Sequence, residues 1–192
     1  MEKTDSELIE LYIGDKDMNS LNVLIRRYLK IAYNFAYHFT NDSREAEDIT
    51  QESFIKVWKN ISRFDKNRKF KPWLLKIVRN TALDYFKKRK DYVFSKFDDL
   101  EGNNPILDTL PDVELTPVEM SELKDDVQML KSVVSEMPIY YRQVLSLYYE
   151  EGLTLEEVAT ILDKSKDTVK SQHRRAIIYL KSKLAPKIGK KS

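Results

Sequence analysis

Leu153–Leu184 reads LTLEEVATILDKSKDTVKSQHRRAIIYLKSKL. Leu155, Val158, Ala159 and Leu162 recur at helical spacing and make one apolar face. Asp163 to Asp167 is short and polar, which predicts a turn. Val169, His173, Ala176, Ile177, Leu180 and Leu184 then make the apolar face of a second helix. Helix, tight polar turn and helix is the pattern of a helix-turn-helix, whose second helix enters the major groove of DNA. Lys170, Ser171, Arg174 and Arg175 fall away from most of that second stripe. Arginine can bind guanine O6 and N7 in a bidentate way, and lysine can reach phosphate or guanine. Cations at the start of this helix therefore stand where a recognition helix meets DNA. A plain amphipathic hairpin with a basic face gives the same pattern.

The rest of the chain bounds what such a hairpin belongs to. With 192 residues there is room for one large domain or two small ones. There is no cysteine, which excludes disulfides, thiolate metal ligands and cysteine nucleophiles and agrees with a cytoplasmic location. The N-terminus shows no basic segment followed by an apolar one, so no signal peptide is expected. No run approaches the roughly 20 apolar residues of a membrane span, and no direct membrane insertion is expected.

The net charge of +2 hides a pattern. Residues 91–126 hold eleven acids and two bases, whereas residues 1–90 carry net +6 and residues 127–192 net +5. The acidic block also holds Gly102, Asn103, Asn104, Pro105, Pro111 and Pro117. That composition predicts an acidic flexible linker, with helix resuming between Val118 and Ser135.

The first block reads as helices. Leu8, Ile9, Leu11 and Tyr12 predict a short one. Leu21, Leu24, Ile25, Tyr28, Ile31, Ala32, Phe35, Ala36 and Phe39 predict a long one. Asn41-Asp42-Ser43 ends it and offers a cap for the next. There Ala46, Ile49, Phe54, Val57, Trp58 and Ile61 form the apolar stripe, with Glu45, Glu47, Asp48, Gln51 and Glu52 on the other face. Pro72 suits the first position of a further helix, since it lacks the N–H that has no partner there. Trp73, Leu74, Ile77, Val78, Ala82 and Tyr85 give that helix its buried face. Both tryptophans are read as core.

Between these helices, residues 62–71 mix Arg63, Lys66, Arg68, Lys69 and Lys71 with Phe64 and Phe70. Cations attract phosphate, and aromatic rings can stack on unpaired bases at about 1–3 kcal/mol per base. The two phenylalanines either serve such a single-strand reader or fold back into the core.

No enzyme is expected. Gly14, Gly102, Gly152 and Gly189 are isolated, so no glycine-rich phosphate loop exists. His38 and His173 lie on apolar helical faces without a nearby ligand set, so no metal, cofactor or catalytic residue is assigned. Glu156 and Glu157 are read as solvated rather than as a catalytic pair.

Together the two halves resemble bacterial RNA polymerase sigma factors of the extracytoplasmic-function (ECF) type, in their minimal two-domain form. In the first half the resemblance rests on AEDITQESFIKVWKN (46–60) and FKPWLLKIVRNTALDYFKKRK (70–90), which look like sigma region 2. In the second it rests on MPIYYRQVLSLYYEEGLTLEEVATIL (137–162) and KSKDTVKSQHRRAIIYLKSKL (164–184), which look like sigma region 4.

The resemblance implies an all-α fold of two small helical domains, a region 2 bundle (1–90) and a region 4 helix-turn-helix (127–192), joined by the linker 91–126. It implies that Asp48, Gln51 and Glu52 dock on the clamp coiled coil of the core RNA polymerase. It implies that Phe64, Asp65, Lys66, Asn67, Arg68, Lys69, Phe70 and Lys71 form the loop that captures a base flipped from the minus-ten element. Asn80 falls near the upstream edge of the melted DNA, with Lys87, Lys88 and Arg89 near phosphates. Lys166, Thr168, Lys170, Ser171, Arg174 and Arg175 fall over the minus-thirty-five element. Lys170 stands where the family often has arginine, and Asp167 where it often has a small residue. The implied partners are core polymerase, promoter DNA and an anti-sigma factor, with no small-molecule substrate. Two other functions fit parts of the chain: a helix-turn-helix regulator acting without polymerase, and a helical interaction protein with a basic surface. The first leaves the basic-aromatic loop and the acidic helix face unexplained, and the second leaves the recognition helix unexplained.

Overall fold

In the computed structural model of the protein, residues 3–88 and 127–188 are described. All regular structure among them is helical. The helices are α1 (Asp5–Asp15), α2 (Met18–Thr40), α3 (Ser43–Asn60), α4 (Phe70–Lys88), α5 (Val127–Glu136), α6 (Ile139–Leu145), α7 (Leu155–Leu162) and α8 (Lys166–Ile188). A 3-10 turn, Ile61–Arg63, follows α3, and a π turn, Ser146–Glu150, follows α6. The expected linker 91–126 and Arg89 lie outside the described residues.

The first unit is α1 to α4, and local side chains fix where its helices start. Thr4 and Glu7 form a reciprocal capping box: Glu7 N–H donates to Thr4 Oγ1 at 3.3 Å and Thr4 N–H to Glu7 Oε2 at 2.6 Å. Asp17 accepts from the N–H groups of Asn19 (3.0 Å) and Ser20 (3.2 Å), and Asp42 from those of Arg44 (2.9 Å) and Glu45 (3.0 Å). Such caps stabilise a helix by about 1 kcal/mol each. Asn41 ends α2 in the left-handed region at φ 53°, a conformation its short polar side chain tolerates better than most residues do.

The inner faces of α2, α3 and α4 pack on one another, and α1 packs on α2. Leu24, Phe35, Ile49, Leu74 and Leu75 are buried at the centre, and burying each such side chain contributes about 1.5–3 kcal/mol. Two expectations change here. Trp58 is 52% exposed, so it is not a core residue. Helix α4 starts at Phe70 rather than at Pro72, because the buried Phe70 ring anchors the first turn; Pro72 still lies in that turn, where backbone N–H groups have no intrahelical acceptor.

The second unit is α5 to α8. Val133, Met137, Tyr141 and Leu145 meet Ala176, Ile177, Leu180 and Leu184 of α8 in one apolar cluster. Val158 of α7 and Val169 of α8 are also buried. Thr154 and Glu157 cap α7, with Thr154 N–H donating to Glu157 Oε2 at 2.9 Å and Glu157 N–H to Thr154 Oγ1 at 3.3 Å. Gly152 supplies the positive φ (64°) that leads the chain into that cap. The turn before α8 is shorter than the expected 163–167. Asp163 turns left-handed at φ 54°, and Ser165 Oγ accepts from Thr168 N–H at 3.1 Å, so Lys166 and Asp167 are already helical.

Candidate nucleic-acid and polymerase interfaces

Three surfaces carry the expected site residues. The first is the outer face of α3. Ala46, Ile49, Thr50, Ser53 and Val57 turn inward, and at about 100° per residue the opposite face centres on Ile55. Asp48, Gln51 and Glu52 share that face. Asp48 and Gln51 are exposed, and Glu52 is half-buried. Lys56 Nζ bridges Glu52 (3.2 Å) and Asp84 of α4 (3.3 Å), which fixes Glu52 against the bundle. Ile55 is 50% exposed and Trp58 52% exposed on the same side. Sequence reasoning missed both as surface residues. The signal was Ile55 itself, an apolar residue opposite the stripe.

The second surface is the segment 64–71, which is not uniform. Phe64 and Phe70 are 7% and 3% exposed. Their rings meet edge-on at 5.8 Å, Phe70 meets Tyr28 at 5.2 Å, and both contact Trp73. Of the two roles open to these rings, the structure gives the core one, because an aromatic ring buries more apolar area than a solvated loop can leave exposed. Asp65, Lys66, Asn67, Arg68 and Lys69 remain exposed, and Lys71 is half-buried in the first turn of α4. Asp65 shapes the tip: it accepts from Asn67 N–H at 3.0 Å and pairs with Arg68 Nε at 3.3 Å. Lys66 Nζ donates to Glu10 of α1 at 3.2 Å. Between this segment, Tyr28 and the first turns of α1 lies an open cleft of about 490 Å³. Asn80 is exposed on α4, accepting from Arg79 Nη1 at 3.1 Å, and Lys87 and Lys88 are exposed in its last turn.

The third surface is the start of α8. Lys166, Lys170, Ser171 and Arg174 are exposed, whereas Thr168 and Arg175 are half-buried. Thr168 Oγ1 is engaged with Ser165 Oγ at 2.8 Å. Lys166 pairs with Glu156 of α7 across the turn. That hydrogen bond raises the Lys166 ammonium above its ordinary range and lowers the Glu156 carboxyl. Lys170, Ser171 and Arg174 are thus the exposed members of this set away from the turn, and Lys166 is engaged by Glu156. His173 has a structural place: its ring stacks on Tyr149 at 5.6 Å, with Nε2 3.2 Å from the Tyr149 hydroxyl.

A helical bundle with an acidic-apolar outer face and a separate helix-turn-helix with a basic recognition helix define a two-part transcription factor. Residues 24–92 match the family described as Sigma-70 region 2, and residues 128–180 match Sigma-70, region 4. Among curated proteins, the chain is 32% identical to the ECF RNA polymerase sigma factor SigM of Bacillus subtilis (strain 168), over 85% of this chain and 94% of that protein. It is 31% identical to SigW of the same organism, over 89% and 91%. Among solved structures, it is similar to the sigma factor RpoE in complex with the anti-sigma factor NepR from Bartonella quintana, with TM-score 0.63, 23% identity and 86% and 96% of the two chains covered. CnrH in complex with the cytosolic domain of CnrY gives TM-score 0.63 at 18% identity, over 95% and 99%. The chain belongs to the ECF RNA polymerase sigma factors, initiation factors that direct RNA polymerase to promoters rather than catalysts in their own right. No helix among the described residues is long and apolar enough to cross a membrane.

Proposed function

We propose that this sigma factor reads its promoters with two separate surfaces and binds core polymerase with a third. The observation that carries this is the exposure pattern of α8: Lys170, Ser171 and Arg174 are open to solvent while Val169, Ala176 and Ile177 are buried. On this reading α8 enters the major groove of the minus-thirty-five element, where Arg174 reads a base edge and Lys170 reaches phosphate. The loop Asp65–Lys69, with Lys71, Asn80, Lys87 and Lys88, handles the melted minus-ten strand. The α3 face of Asp48, Gln51, Glu52, Ile55 and Trp58 meets the polymerase clamp. The chain works in the cytoplasm, takes no small-molecule substrate, and is held inactive by an anti-sigma factor; RpoE is in complex with the anti-sigma factor NepR in the first structure above, which supports that partner.

The test is association with core polymerase together with initiation from a cognate promoter. DNA binding without polymerase association would mark a free-standing regulator instead. Within that assay, Arg174→Ala is expected to cost about 1–3 kcal/mol of promoter affinity and to relax specificity at one base pair. Lys170→Ala is expected to weaken all promoters alike and to lower the salt dependence. Unchanged minus-thirty-five preference with both Arg174 and Arg175 altered would reject α8 as the reader.

A further inference from the structure

Glu52 is half-buried where Asp48 and Gln51 are exposed, and Lys56 holds it there. Lys56 Nζ meets Glu52 Oε1 at 3.2 Å, one turn further along α3, and donates to Asp84 Oδ2 of α4 at 3.3 Å. Glutamate four residues before lysine is the favourable order on a helix. The side chains of Glu52, Lys56 and Asp84 are 38%, 32% and 52% exposed, so solvent screens the pairs and they add little to the stability of the bundle. The buried face of α3 already fixes that helix on its neighbours. The bridge therefore acts on where Glu52 is held rather than on whether the chain folds.

Lys56 has two opposed effects on a partner of this face. Its positive charge repels the basic surface that an acidic face fits. Asp84 offsets that charge: the three groups together carry one net negative charge, the same as Glu52 alone. The second effect is order. A free glutamate explores many rotamers, and immobilising such a side chain at an interface lowers affinity by about two- to tenfold. Lys56 removes that freedom before the partner arrives. It approaches Oε1, and an ionised carboxylate has about four lone-pair sites, so acceptor capacity remains for a partner. With the charge offset and the rotamer held, order outweighs repulsion.

We propose, resting on the assignment of the α3 face to core polymerase, that Lys56 is a positioning residue for polymerase binding: anchored on Asp84 of α4, it presents the Glu52 carboxylate in its docking geometry. Lys56 acts through Glu52 and not through a polymerase contact of its own. Charge alone predicts the opposite outcome, since removing a cation from an acidic face tightens its hold on a basic partner.

The test is competition of the full chain against labelled wild type for core polymerase, at about 0.3 M salt, where screening shortens the reach of charges that are not in contact. Lys56→Met is placed in the wild-type chain and in the Glu52→Gln chain, and a melting curve is recorded for every variant. Glu52→Gln alone is expected to bind about thirtyfold more weakly. Lys56→Met is expected to weaken binding about three- to tenfold when Glu52 is present and less than about twofold in the Glu52→Gln chain. The change in net charge is common to both backgrounds and cancels in this cycle. Equal losses in the two backgrounds overturn the proposal, as does unchanged or tighter binding by Lys56→Met, or a loss that follows the melting temperature. Glu52→Gln separates the two levels. If it weakens binding and Lys56→Met does not, the α3 assignment stands and the role of Lys56 falls. If neither weakens binding, Glu52 leaves the interface and the role of Lys56 falls with it.

Discussion

Asp48→Lys combined with Glu52→Lys is expected to abolish binding to core polymerase while the chain stays folded. The fold is insensitive because the anchors of α3 are Ala46, Ile49, Thr50, Ser53 and Val57, all facing away from the altered positions. Losing the partly exposed Glu52–Lys56 pair costs at most about 1 kcal/mol, and Lys56 keeps Asp84. Setting a lysine four residues before Lys56 adds a like-charge cost of about 0.2–0.5 kcal/mol. At an interface the same reversals act far more strongly, since truncating one member of a buried charge pair costs about 2–5 kcal/mol, and reversal adds repulsion. A competition assay against wild type, with a melting curve beside it, reads both quantities. Unchanged affinity would remove the α3 face from the interface. Trp58→Ala then asks whether the apolar part matters. An exposed tryptophan that anchors a partner costs at least about 2 kcal/mol of binding when truncated and almost nothing in melting temperature.

Trp58 also shows where sequence reasoning stops. The stripe Phe54, Val57 and Ile61 was legible because its members recur at spacings of three and four. Trp58 is four residues from Phe54 and satisfies the same rule, yet it lies about 100° round the helix from Val57. Periodicity finds a stripe but not its edge, and at the edge the neighbouring helices decide which residue is covered. The caps were easier. Asp42 directly precedes the first turn of α3, and its carboxylate serves donors two and three residues on, so no tertiary information is needed. The basic residues of α8 were legible for the same reason, since a helix fixes which side chains oppose its buried stripe. Glu156 holding Lys166 was not, because it depends on how α7 meets α8 across the turn. Asp5 was invisible as a cleft residue: it gains that place only when α1 packs on α2 and brings Arg27 and Tyr28 to its two oxygens.

The burial of Phe64 and Phe70 changes how the proposed minus-ten role of residues 64–71 must be tested. Phe70→Ala is expected to destabilise the first unit by about 3–5 kcal/mol, because it leaves a cavity beside Tyr28, Phe64 and Trp73. A loss that large lowers the melting temperature before any effect on DNA can be read. Exchange of the whole stretch 64–71 would confound the two roles in the same way. Exchange of the exposed tip alone, Asp65–Lys69, does not. Surface changes of this kind usually stay within about 0.5 kcal/mol, and a transplanted segment that keeps an Asx turn preserves the path between Phe64 and Phe70. Grafting the tip of a relative with a different minus-ten sequence is therefore expected to transfer that preference at unchanged melting temperature and to leave minus-thirty-five preference alone. Permanganate reactivity of unpaired thymines reports whether the open complex still forms. A base must leave the duplex stack before a protein can enclose it, which costs a few kcal/mol and must be offset by contacts made outside the stack. The tip offers Lys66, Asn67, Arg68 and Lys69 for those contacts, and the buried rings beneath give it a fixed platform. If the graft melts promoters with the original preference, the tip is only a connection between α3 and α4, and the reader lies on the exposed side of α4 around Asn80.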